Sequence, residues 1–496
     1  MLDDGSLFSF ENLHRQYVQC RRNKRNTDSA LAFEVEQEKH LLALSEALQS
    51  HQYRPGPSVC FVAQKPKLRE IFAADFPDRI VHHVLVNELE RYWEPRFIYD
   101  SYACRKNKGI HRAVDRLQGF MRQVSSNGVK PAYYLQLDIH NFFMSMDKSL
   151  LFERLRSSLN NNDVEWLCRT LVFHDCTQHY HYAGRPSLLT QLPAHKSLLQ
   201  APAGKGMPIG NLNSQFFANV YLDVFDQFVK HQLKCGYYLR YCDDFILLST
   251  DREQLQSWQQ QITTFLKEEL LLRLNPKRQT LQRVDGGADF LGYIVRPHYR
   301  LVRQRVIGNC SAKLTAFEQQ LVREEGLWRV CRFDRNVVDT LQATLASYLG
   351  HYRHANSWRL QQQLWRRFYY LQYYFTVADA GRLQRRDRVP NSLRSVRKQY
   401  QFIRRSYPDA LLLFKVGSFY EWFDGQGMFV AKLLGLKPLT HNRRGALYGF
   451  PVAQLPSKIV ALQNVAQSIL YVNEFHAEGG GLKRRVPEEL WVKIDV

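Results

Sequence analysis

Tyr237-Tyr238-Leu239-Arg240-Tyr241-Cys242-Asp243-Asp244-Phe245-Ile246-Leu247-Leu248 is the stretch that decides the fold. Two apolar runs flank adjacent carboxylates, so the local reading is a β-hairpin with both aspartates at its tip. Upstream, Leu135, Leu137 and Ile139 alternate with Gln136 and Asp138, the pattern of a strand that buries one face and turns Asp138 to the other. Adjacent aspartates in a turn are ordinarily no more than a solvated loop. With Asp138 they make a set that paired divalent cations need. Ions roughly 3.5–4 Å apart require carboxylates converging on one sheet edge, so that charge is balanced while both reacting oxygens of a phosphoryl transfer are clamped. Asp138, Asp243 and Asp244 are therefore the candidate catalytic and metal-holding residues.

The chain has 496 residues, too many for one core, and a hydrophobic share of 45% with 13% aromatics, which excludes a disordered protein. Lys and Arg number 68 against 47 Asp and Glu, and the net charge of +21 suits a polyanionic partner. No apolar run is long enough for a bilayer and the first ten residues carry no signal-peptide pattern, so a cytoplasmic protein without a membrane partner is expected. The nine cysteines are dispersed and form no CxxC pair, which reads as reduced thiols and not as a disulfide framework or a zinc site.

A strand ending in an aspartate and followed by Phe142-Phe143, then a Tyr-x-Asp-Asp hairpin, is similar to motifs A and C of reverse transcriptases. The blocks around them stand in that family's order from Gln64 to Tyr293: QKPKLREI with DRIVHH, SYACRKNKGIHRAV, GMPIGNLNSQ, LNPKRQ and ADFLGY. The resemblance implies an α+β, right-hand polymerase. It has a helical N-terminal extension over 1–52, fingers and palm over 53–300, a helical thumb over 301–381 and a basic linker over 382–396. It also implies an RNA-directed DNA polymerase that uses two Mg²⁺ ions, with template RNA, cDNA, RNA–DNA duplex and dNTPs as partners.

Family resemblance also assigns the remaining site residues. Lys65, with Lys67 as its competitor, Arg69 and Arg105 fall where the incoming triphosphate is held, and a positive clamp there persists into the transition state. Phe143 falls at the steric gate that excludes a ribose 2′-hydroxyl, while Phe142 packs. Lys277, beside Arg278, falls near the departing pyrophosphate, where a proton donor helps the leaving group. Gly210 allows close backbone approach to the nascent pair, and Tyr241, Ser214 and Gln215 face nucleic acid. Most of the family reads Gln-Gly-x-x-x-Ser-Pro where this chain has Ile209-Gly210-Asn211-Leu212-Asn213-Ser214-Gln215, a form that resembles the reverse transcriptases of diversity-generating retroelements. Ser347 to Asn356, SYLGHYRHAN, resembles the same group. That implies error-prone copying at template adenines, with an accessory protein of the retroelement as a further partner.

Residues 397–478 resemble the N-terminal mismatch-recognition domain of MutS, with a tail over 479–496 that either docks through Leu490 and Trp491 or contacts a partner. In that family a Phe-x-Glu pair stacks on and hydrogen-bonds to a displaced base; here it stands as Phe419-Tyr420-Glu421. Phe419 is either such a wedge or a core aromatic. No GxxxxGK[ST] loop occurs, which excludes an ATP-driven repair machine. The rival readings are another bacterial reverse transcriptase, serving phage defence, a retron or a group II intron, and a non-catalytic nucleic-acid scaffold.

Overall fold

The computed structural model describes residues 6–22, 27–64, 67–378, 382–442, 445–475 and 483–494. It divides into two compact units, 1–299 and 300–496.

The first unit opens with helices Phe10–Arg21, Asp28–Val35 and Gln37–Gln49, whose apolar faces enter the main core through Leu13, Tyr17, Leu41 and Leu48. Strand β1 (Ser58–Ala63) pairs antiparallel with β2 (Arg69–Ala73). β3 (Tyr133–Ile139) carries Asp138, and β4 (Tyr180–Tyr182) joins β1 in parallel. β5 (Tyr238–Tyr241) and β6 (Asp244–Ser249) form a hairpin, and β7 (Leu274–Arg283) completes a four-stranded antiparallel sheet in the order β5-β6-β3-β7. Its buried face follows from the two-residue alternation of strands. Leu135, Leu137 and Ile139 enter the core with Phe245 and Leu247, and helix Leu212–Gln227 supplies Phe217, Tyr221 and Phe225 to it. β8 (Ala288–Phe290) and β9 (Tyr293–Val295) are joined by Leu291 and Gly292, both at positive φ, which makes the short turn DFLGY announces.

In the second unit β10 (Arg300–Val302) precedes helix Gln304–Leu321, and β11 (Val322–Glu325) and β12 (Trp328–Arg332) form a hairpin. Helices Arg335–Tyr352 and Trp358–Arg367 follow, then β13 (Phe375–Ala378) and β14 (Arg382–Arg385). After helix Val396–Ser406 come β15 (Leu411–Val416), β16 (Phe419–Trp422), β17 (Pro438–Asn442), β18 (Gly445–Pro451), β19 (Ser468–Phe475) and β20 (Arg484–Lys493). They make one eight-stranded sheet in the order β11-β12-β20-β19-β15-β16-β18-β17. Leu411 and Leu413 face one core with Trp422 and Ile469, while Leu412 and Phe414 face another with Leu470, Val472 and Leu490. Burial on both faces is why Leu411–Phe414 is continuously apolar.

Two segments differ from expectation. The basic linker over 382–396 is folded in part: β14 pairs with β13, and Arg385, its side chain 6% exposed, donates to Asp387 and Asp339, which neutralise its charge. The tail over 479–496 contains β20, which lies between β12 and β19. Its docking residues are as read: Leu490 is buried, and the Trp491 ring lies 6.3 Å from Trp328 and 5.9 Å from Tyr471. The glycine run at its start lies outside the described residues. Among the described residues no helix is long and apolar enough to cross a membrane.

Candidate active site

The β5–β6 hairpin closes through a two-residue turn, since Tyr241 pairs with Asp244. Cys242 takes φ +56°, the left-handed conformation such turns demand. Asp243 thus lies in the turn, while Asp244 is the first residue of β6 and not part of the tip. On the neighbouring strand Asp138 sits directly opposite Asp244, and the Ile139 amide donates to the Asp243 carbonyl at 3.1 Å. The sheet register therefore collects three carboxylates drawn from two distant stretches of sequence.

Burial pushes the Asp243 carboxyl up, and the charge of Asp138 adds to the effect. Asp244 is pushed up to about 7, by burial first and then by the charges of Asp243 and Asp138, against hydrogen bonds from Gln136. Gathering like charges at a partly dry edge produces this. Arg69 on β2 and Arg278 on β7 are the cations whose fields oppose it at Asp243. Each of two aspartates also has polar partners of its own. Arg278 Nη1 donates to Asp138 Oδ2 at 2.8 Å and Asn275 Nδ2 to Asp138 Oδ1 at 2.9 Å, while Gln136 Nε2 donates to both oxygens of Asp244 at 3.1 and 3.3 Å. Asp138 and Asp244 are thus each held by separate polar partners, and among the described residues no group of three or more His, Cys, Asp and Glu side chains is placed to hold a metal ion.

Behind the turn lies a network that sequence reading missed. Arg240, fully buried, donates from Nη2 to Asp226 Oδ2 at 2.6 Å, from Nε to Asp226 Oδ1 at 2.8 Å and from Nη1 to the Cys242 carbonyl at 3.0 Å. The Tyr238 hydroxyl donates to the same Asp226 at 2.6 Å. The turn that holds Asp243 is thus tied to an ion pair inside the core. A charged residue in the apolar run Tyr237–Tyr241, and an acid within the apolar helix Leu212–Gln227, were the signals available.

Other predicted residues divide. Phe142 is buried with its ring 5.4 Å from that of Phe143, and Phe143 is half-buried beside it. Ile209 packs with Phe143 in a small apolar cluster around Cys60, Phe72 and Met144. Gly210 sits at φ +121°, and a Cβ there would meet Ile71 Cγ2 at 2.7 Å. This glycine permits a close approach to β2, where the Phe72 amide donates to the Ile209 carbonyl at 3.1 Å. Arg105 is turned inward: it pairs with Glu94 at 2.9 Å, donates to the carbonyls of Ile98 and Ser101, and lies over the Phe97 ring, which leaves it no fork for a triphosphate. Ser214 is fully buried, because it shares the inward stripe of its helix with Phe217, Ala218 and Tyr221, whereas Gln215 is exposed. Lys277 is exposed on β7, and Arg278, not Lys277, reaches the aspartates. Tyr241 is half-buried at the end of β5. Lys65 lies outside the described residues.

On β16 the alternation sends Tyr420 and Trp422 into the core and leaves Phe419 and Glu421 half-exposed on the opposite side. Burial pushes the Glu421 carboxyl up, against the charge of Arg485.

Residues 63–295 match the family model of reverse transcriptase (RNA-dependent DNA polymerase), and residues 394–486 match MutS domain I. The chain thus joins a reverse transcriptase domain to a MutS-like domain, and it is an RNA-directed DNA polymerase. Among curated proteins it is similar to Protein YkfC of Escherichia coli K12, 23% identical over 351 residues that make up 62% of this chain and 83% of that one. Its C-terminal region is similar to DNA mismatch repair protein MutS of Flavobacterium psychrophilum, 48% identical over 61 residues, 11% of this chain and only 7% of that protein. A solved structure of telomerase from Candida albicans, in complex with a fragment of telomeric RNA, aligns at TM-score 0.36 and 10% identity over 60% of this chain and 54% of that one.

Proposed function

We propose that the chain copies a template RNA into cDNA by two-metal nucleotidyl transfer in the cytoplasm, as the polymerase of a diversity-generating retroelement. The observation that carries the catalytic reading is the register that sets Asp138 opposite Asp244 with Asp243 in the adjoining turn, two of the three carboxyls being pushed up by burial and by one another. Carboxylate oxygens are hard donors that suit Mg²⁺, and unrelieved negative charge is what a divalent cation relieves. Asp138 and Asp243 would hold the two ions, with Asp244 completing the cluster. When bound, such ions lower the pKa of the primer 3′-hydroxyl and neutralise the triphosphate.

The chain's own residues orient the reactants. Arg69, whose charge acts on Asp243, takes the triphosphate of the dNTP, and Arg278 exchanges Asp138 for the departing pyrophosphate. Phe143 excludes a 2′-hydroxyl, and Tyr241 and Gln215 line the path of the nucleic acid. Support for the retroelement reading lies in Ile209: its apolar side chain packs against the same buried cluster as Phe143 and offers no amide to fix the geometry of a nascent pair, so errors at template adenines are expected. The cDNA would replace a variable repeat in a target gene with the help of an accessory protein. Phe419 and Glu421, together on the half-exposed side of β16, support the wedge reading of the MutS-like module over the core reading.

Primer extension on an RNA template tests the proposal. Asp138→Asn and Asp243→Asn each remove a full charge while nearly preserving shape, so extension should fall by orders of magnitude with the melting temperature held. Normal extension by Asp243→Asn would sink the reading. Sequencing the wild-type cDNA tests the retroelement reading separately, since an error spectrum without excess at template adenines contradicts it.

A further inference from the structure

Of the eight tryptophans in the chain, Trp358 alone is exposed, at 72%. It opens helix Trp358–Arg367, directly after the corner that ends helix Arg335–Tyr352. The corner is firmly held. The Arg300 amide donates to Asn356 Oδ1 at 3.1 Å, and the Asn356 amide donates to the Arg300 carbonyl at 2.9 Å. Ser357 Oγ donates to the carbonyl of the buried Tyr352 at 2.6 Å and accepts from Gln361 Nε2 at 3.0 Å. A large aromatic ring thus stands in solvent on a hydrogen-bonded corner, whereas the other face of the same helix buries Leu364 and leads into Phe368.

The stretch of chain around Trp358 carries basic residues and no acid. No acidic residue occurs between Asp339 and Asp379. Arg353, Arg359 and Arg366 are exposed, and none of them has an ion-pair partner among the described residues. Helical spacing places Trp358, Arg359, Gln362, Gln363 and Arg366 along one exposed stripe, where arginine forks meet phosphates and glutamine amides meet base edges. A rigid aromatic face between unpaired arginines is the combination by which proteins hold an unpaired base.

We propose that Trp358 is a stacking platform for an unpaired base of an RNA strand, with Arg353 and Arg359 on the flanking phosphates. RNA is the committed partner because the chain is an RNA-directed polymerase and every template it copies has a single-stranded portion.

The test uses the full chain, with wild type, W358A, W358F and R353Q/R359Q, and a short labelled oligouridine beside its abasic counterpart, followed by fluorescence anisotropy. W358A should weaken binding of the oligouridine about 5- to 150-fold and the abasic strand little, while W358F keeps most of the affinity. R353Q/R359Q should lower the salt dependence equally for both strands. Comparing the two strands subtracts binding elsewhere on the molecule. Equal affinity of W358A and wild type for oligouridine overturns the proposal, and so does an equal loss on both strands. A loss confined to single-stranded DNA overturns the choice of RNA. A change in sedimentation of W358A without loss of RNA binding makes the patch a contact between copies and overturns it as well.

Discussion

The two sheets of this molecule solve opposite problems. The four-stranded sheet of the first unit buries one face and leaves the other for charge, so Gln136, Asp138 and Asp244 lie together on a surface that can work. The eight-stranded sheet is buried on both faces, and its polar side chains of interest are displaced to the short β16, where Phe419 and Glu421 are half-exposed. The securing forces differ in the same way. Behind the aspartate turn stands a buried ion pair, Arg240 with Asp226, which is directional and fixes the Cys242 carbonyl. Behind β20 stand Leu490 and its apolar neighbours, which fix position through packing. The aspartate turn is oriented by an ion pair, and the Leu490 position on β20 by apolar packing.

Breaking each device tests that contrast. Asp226→Asn leaves the Arg240 charge buried without its partner, and the first unit should lose about 3–5 kcal/mol, read as a fall of the calorimetric transition that reports on residues 1–299. Pairing Asp226→Leu with Arg240→Met should restore much of the melting temperature yet not primer extension, because the Cys242 carbonyl then lacks its donor; full recovery of extension would contradict the orienting role. Leu490→Ala should cost about 2–5 kcal/mol and move the other transition. If both variants shift a single common transition, the two units are one cooperative body and the contrast fails.

A smaller effect separates the charged interior by pH. Asp223, beside Asp226 and Arg240 and hydrogen-bonded by Gln227, has its carboxyl pushed up to about 6, chiefly by burial. A folded-state value above the unfolded one means that the native state holds the proton longer. This group therefore costs stability as pH rises from about 4 to about 6. Asp223→Asn, which mimics the protonated form, should melt close to wild type near the low end of that window and gain on it as pH rises; a difference in melting temperature that does not change with pH refutes the assignment. The least effect is expected from Ile209→Gln. One hydrogen bond of about 0.5–1.5 kcal/mol corresponds to at most roughly tenfold lower misincorporation opposite template adenine, checked by sequencing cDNA.

What could be read beforehand follows from how local each feature is. The aspartate hairpin was legible because a two-residue turn between apolar runs is written in adjacent residues, and Asp138 because strand alternation turns it to the face opposite Leu135 and Leu137. For the MutS-like pair the sequence left wedge and core both open, and it is the period-two burial along β16 that separates Phe419 and Glu421 from Tyr420 and Trp422. Arg105 and Ser214 were misplaced because motif position says nothing of side-chain direction: a carboxylate at Glu94 captures one, and a helix stripe buries the other. Which of Lys277 and Arg278 reaches Asp138 was not legible, because a register shift against β3 breaks the alternation of β7 there and lets both Asn275 and Arg278 bond that aspartate. The tail was misjudged because β20 gains one partner, β12, from far away in sequence, and the linker because basic composition does not announce the short hairpin that β14 forms with β13.

The place of β20 limits how this molecule can be taken apart and reused. Cutting out 394–486, the segment that matches MutS domain I, would carry β15 to β19 but sever β20 after its first residues, leaving β19 an open edge in the excised piece and β12 another in the remainder. Unpaired edges recruit one another, so both pieces would tend to aggregate. A transplantable module must include the hairpin Val322–Arg332 as well as β20, which means that the mismatch-type domain can be exchanged between polymerases only together with part of the helical unit that precedes it.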